Sequence, residues 1–179
     1  MSGSTVELAP GLRAVPIVHA SVECTAIVRQ IFLTQPPQML ALELPARIAA
    51  PLREALSFAD ELPVLTLNGT AAHSGEGPPP LHFVLEPLEP LVEAARSALE
   101  LGVGLQLIDF YQEYLPAFVG EEFPDTYALT HMSLADLYAH YRDARLAGSF
   151  PAHDQTSEID RLRELYMARR LRELRRVSQ

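Results

Sequence analysis

The sequence predicts an α/β domain: a mainly parallel sheet of about five strands flanked by helices, with an Arg-rich helix at the C-terminal end. Three observations carry this. Short apolar runs recur along the chain, stretches with helical periodicity join several of them, and the runs close on groups that can do chemistry. A strand, a crossover helix and a second strand imply parallel pairing of right-handed sense.

The stretch from Val15 to Arg47 sets the pattern. Val15–Val18 is apolar and closes on His19. Ser21 stands where a helix N-cap belongs, with Glu23 in the first turn, where the helix dipole favours negative charge. Ala26, Ile27, Ile31 and Phe32 recur at helical spacing, and Pro36-Pro37 stops the helix. Met39–Leu42 is a second apolar run and closes on Glu43. Upstream, Pro10-Gly11 marks a turn.

Beyond Glu43, Ile48, Leu52, Ala55 and Leu56 share a face, and Pro51 is tolerated only within a first turn, so a helix is placed at about residues 49–60. Val64–Leu67 is a third run, ending at Asn68-Gly69, and TAAHSGEGPPP is loop by composition. Leu81–Leu85 is a fourth run, closing on Glu86. Pro87 and Pro90 open the helix LVEAARSALEL, which Gly102 ends. Gly104–Ile108, the fifth run, closes on Asp109. Residues 111–132 read as irregular, and Ser133 caps a helix reaching Leu146. The domain reading is a core over residues 1–147, a linker over 148–156 and a helix over 157–179.

Parallel strands bring their carboxyl ends to one edge, where open α/β sheets bind ligands. His19, Glu43, Glu86 and Asp109 are then expected to converge. One imidazole with carboxylates suits a hard or borderline divalent ion, or a general base acting on water. Plainer readings stand beside this one. His19 can be a hydrogen-bonded strand-end histidine, Glu43 can accept backbone N–H groups of the next helix, and Arg47 can pair with Glu43 or bind an anion. His73, His131 and His140 read as well as loop or packing residues. Cys24 reads as a small buried hydrophobe.

Charge narrows the partners. All 14 basic residues are Arg, and the net charge of −9 disfavours nonspecific nucleic-acid binding. The first 157 residues carry 19 acids against seven Arg, while the remainder is basic by about three charges, which suits docking on the body or on a partner. One cysteine permits no disulfide framework. No apolar stretch approaches the roughly 20 residues of a membrane span, and MSGSTVELAP lacks the features of a signal peptide, so a cytoplasmic protein is expected.

IVHASVECTAIVRQIFLTQPPQMLALELPAR resembles the opening motif of the TraB/PrgY (pheromone-shutdown) family, within the wider erythromycin-esterase/ChaN-like group. On that pattern His19, Ser21, Glu43 and Arg47 match a G-x-x-H strand end, the following Ser, and a V-x-V-E-L strand with its nearby Arg. EPLVEAARSALELGVGLQLIDF is similar to a later family segment ending I-D-R. RLRELYMARRL looks like the family's E-R-D-x-Y-M-A helix, with Arg163, Glu164, Tyr166 and Met167 in register.

The resemblance implies a metal-dependent hydrolase-like domain of peptidase or esterase type. His19 and Glu43 would be catalytic. His19, Glu43, Glu86 and Asp109 would hold a divalent metal, and Ser21, Arg47 and Arg163 would bind a small-molecule or peptide substrate. A regulatory module docking through the C-terminal helix and a haem binder using His19 or His73 are the alternatives. Pro16 replaces the family glycine and Phe110 the Arg after the aspartate. The family's final strand has no counterpart before Gln179, so a homo-oligomer, or a second chain completing the sheet edge, is expected.

Overall fold

The computed structural model describes residues 3–58, 63–67, 81–110, 125–148 and 158–177. The loop reading of residues 68–80, most of the irregular stretch and most of the linker lie outside them. The chain opens on an antiparallel hairpin of β1 (Val6–Ala9) and β2 (Leu12–Ala14). Its turn is Pro10-Gly11, and Gly11 has φ +77°, a left-handed conformation that glycine adopts without steric cost.

Helix α1 (Val22–Thr34) starts where the sequence places it: the Ser21 hydroxyl accepts the Cys24 N–H at 3.1 Å. Cys24, Val28 and Phe32, four residues apart, form its buried face. Strand β3 (Met39–Pro45) leads through a short 3-10 turn into α2 (Ala49–Leu56), with Pro51 in the first turn. Strands β4 (Val64–Leu67) and β5 (Leu81–Val84) follow, then α3 (Pro90–Glu100), β6 (Gly104–Asp109), α4 (Leu134–Leu146) and α5 (Glu158–Val177).

The architecture is mixed α/β, and its centre is the parallel pair β3–β6. Alternation along β3 assigns the two faces. Leu42 and Leu44 are buried in the core with Leu105 and Leu107 of β6, beneath α1 and α3. Glu43, out of phase with them, meets α5. Ile48, Leu52, Leu85 and Val92 complete the core, and full burial of such side chains contributes roughly 1.5–3 kcal/mol each. Between α1 and α3, Arg29 donates to Ser97 Oγ at 3.1 Å and lies 3.5 Å from the buried Glu93.

The single five-stranded sheet is not what the described residues form. Six strands make three two-stranded pairs, of which only β3–β6 is parallel. Val15–Val18 joins no ladder, and Pro16 there lacks an N–H to donate. Strands β4 and β5 pair antiparallel. A parallel return needs a crossover, usually helical, and the sequence between them supplies Gly and Pro instead of a helix-forming run. Among the described residues, no helix is long and apolar enough to cross a membrane.

Candidate active site

The parallel pair delivers two carboxylates to one edge. The register ends with Pro45 opposite Asp109, which sets Glu43 and Asp109 at the carboxyl ends of neighbouring strands. Asp109 is buried, and its Oδ1 accepts the Phe110 N–H at 2.8 Å. From α5, Arg163 donates to Asp109 Oδ2 through Nε at 3.1 Å and through a terminal nitrogen at 2.7 Å. That terminal nitrogen also lies 2.9 Å from Glu43 Oε1. One guanidinium therefore joins both strand ends to the C-terminal helix. The Asp109 hydrogen bonds hold Arg163 above its ordinary value despite partial burial. Beside them, Phe110 and Tyr166 meet edge to face at 5.7 Å.

His19 lines the same pocket as Glu43 and Arg163 and feels the Glu43 charge. Its Nδ1 lies 3.0 Å from Glu89 Oε1. Glu89 is the N-cap of α3, accepting the Leu91 N–H at 3.3 Å, while its second oxygen accepts the Ala20 N–H at 3.1 Å. Ala20 has φ +55°, a strained conformation for a residue with a Cβ, and the Glu89 bond fixes the turn between His19 and α1. The Glu89 hydrogen bond raises His19 above its usual range against the pull of burial, with the charges of Glu89 and then Glu43 adding to it. Burial pushes Glu89 up, but His19 and the two backbone donors outweigh it and the carboxyl lies below its usual range. The His19 side chain is 62% exposed and Glu89 only 13%, so a partly buried carboxylate holds an accessible imidazole.

The remaining sequence-predicted residues sit as follows. Ser21 is buried and its hydroxyl is engaged, capping α1 and donating to Glu23 Oε2 at 3.0 Å. Arg47 is exposed in the turn after β3. Glu86 is exposed beyond β5, and its backbone carbonyl accepts the Glu89 N–H at 3.1 Å. Cys24 is buried, with Sγ 3.5 Å from the Val18 N–H. His73 lies outside the described residues.

Glu89 is the site residue missed by sequence reasoning. An acid directly before a proline at the first helical position is an N-cap signal, and it was there to be read.

In this arrangement the groups expected to hold a metal are engaged with other partners. Asp109 and Glu43 share Arg163 as their cation, and Nδ1 of His19 is taken by Glu89. Among the described residues, no three His, Cys, Asp or Glu side chains are grouped to hold an ion. What the arrangement offers instead is a carboxylate-oriented imidazole beside a fixed guanidinium. His19, Glu43 and Arg163 also line the end of a groove of about 1300 Å³. No family model, curated protein or solved structure matches the chain.

Proposed function

We propose that this edge is the centre of a hydrolase-like domain acting on an ester or peptide carbonyl. In this reading His19 is the base toward water, Glu89 orients it, and Arg163 holds the carbonyl or an adjacent anionic group. The supporting observation is the 3.0 Å pair of His19 and Glu89 at the groove end that also carries Glu43 and Arg163. With Nδ1 bound to a carboxylate, Nε2 is the atom that can take a proton from water, the logic of an oriented imidazole base. A panel of p-nitrophenyl esters and fluorogenic peptides tests the reading. One substrate should turn over at least about 10²-fold faster with wild type than with His19→Gln, the low end of general-base effects. Equal rates across the panel would sink the reading.

A second reading is a regulatory module that self-associates through α5. Ile159, Leu162 and Leu165 are 53%, 52% and 67% exposed, turned away from the face that carries Met167 and Leu171. Exposed Arg161 and Arg172 flank them, and the acidic body of a second copy complements that charge. Light scattering should then show wild-type dimers and a monomeric Leu162→Asp/Leu165→Asp double variant. Identical masses would remove this reading.

A further inference from the structure

The groove beneath the site runs along strand β3. It is lined by Val15–His19 and by every residue from Met39 to Leu44 of β3. Among the described residues, β3 pairs only with β6, and no main-chain bond joins it to Val15–Val18. The far edge of β6, by contrast, is met by Arg53, which donates to Leu105 O at 3.2 Å. Among the described residues, the edge of β3 away from β6 thus presents a row of N–H and C=O groups beside apolar surface. Such groups must find partners when water is displaced.

The two faces of the groove are apolar as well. Val28, Phe32 and Leu91 line it from α1 and α3, and Leu137, Met167 and Leu171 line it from α4 and α5. A strand lying alongside β3 would alternate its side chains between these two layers, so it must be apolar at both parities, as strands covered on both faces are. An acyl chain would fill the same space but leave the backbone of β3 unpaired. The ends differ in charge. Glu43 and Glu164 belong to the Arg163 end, whereas Arg13, which donates to Gln35 just before β3, and Arg175 line the other. Arg175 lies twelve residues along α5 from Arg163, about 18 Å at the helical rise, close to the length of β3.

We infer that the groove receives an extended segment of a partner polypeptide, five or six residues long, apolar at successive positions. It carries acidic residues at the end facing Arg13 and Arg175, and it extends the β3–β6 sheet by strand addition. This does not rest on hydrolysis at His19, which stands at the other end of the groove.

The test is fluorescence anisotropy with a labelled peptide of two glutamates followed by alternating valine and leucine. Saturable binding is expected to the wild-type chain. Methylating alternate backbone nitrogens of the peptide removes donors without removing apolar area, and should weaken binding at least about tenfold, one lost hydrogen-bond set. Ala168→Trp, which places an indole in the groove from α5, should abolish binding, with circular dichroism checking that the variant folds. Replacing the glutamates by lysines should also weaken it. No binding, equal binding of the methylated peptide, or full displacement by a long-chain fatty acid would overturn the proposal, whether or not an esterase or peptidase activity is found.

Discussion

Replacing Arg163 by alanine is expected to destabilise the chain by about 3 kcal/mol, the low end for breaking a buried ion pair. The loss is large because Asp109 cannot escape to water: its side chain is 5% exposed, and three of its hydrogen bonds come from Arg163. Removing the guanidinium strands a buried carboxylate and also frees Glu43, which at 56% exposure regains water and adds little. For a chain of this length, thermal unfolding should fall by roughly 6–12 °C. Arg163→Lys keeps the charge but not the fork that reaches Asp109 and Glu43 together, so it should recover only part of the loss. Arg163→Ala combined with Asp109→Ala should cost less than the sum of the single changes, since the second substitution removes the stranded charge. A melting temperature for Arg163→Ala within about 2 °C of wild type would show that Arg163 does not hold α5 to the sheet.

How much of this was legible in the sequence differs element by element. The helix starts were, because caps are local chemistry. Ser21 and Ser133 bind the backbone N–H groups of Cys24 and Asp136, as their spacing before apolar faces indicates. The parallel direction of β3 and β6 was legible too, as apolar runs each preceded by a helix, though not that the two would pair with each other. Strand direction elsewhere was not. Val15–Val18 and Leu81–Val84 have strand-like composition, but pairing partner and direction belong to connections and neighbours that composition does not encode.

The site divides the same way. Glu43 and Asp109 converge because the sheet brings them together. Arg163, 54 residues from Asp109 and 120 from Glu43, was suggested only by the helix motif around it. His19 approaches the edge without a strand of its own, held by Glu89. Sequence pattern located the edge; the ion pairs across it depend on helix packing, which no local spacing reports.

The second large effect concerns His19, and its sign follows from which partner is charged. His19 is raised by Glu89, so its share of stability is fully present below its unfolded value near 6.5 and is lost as pH rises through its folded value. Glu89 is lowered, so its share is present above about 4.5 and is lost as pH falls through its folded value. The pair therefore stabilises most between about pH 4.5 and 6.5. Because His19 is 62% exposed, that contribution stays under about 1 kcal/mol. Activity should move the other way. If His19 is the base, only its neutral form works, so kcat/KM should climb with pH along a limb lying above the ordinary histidine value. Glu89→Gln removes the charge that raises His19, so that limb should shift to lower pH while the plateau falls, because the amide no longer stabilises the imidazolium formed as water is deprotonated. His19→Gln should lose the limb and about 10²- to 10⁴-fold of the rate. A limb that keeps its position in Glu89→Gln would mean that the group being titrated is not His19, and with it the assignment of the base would fall.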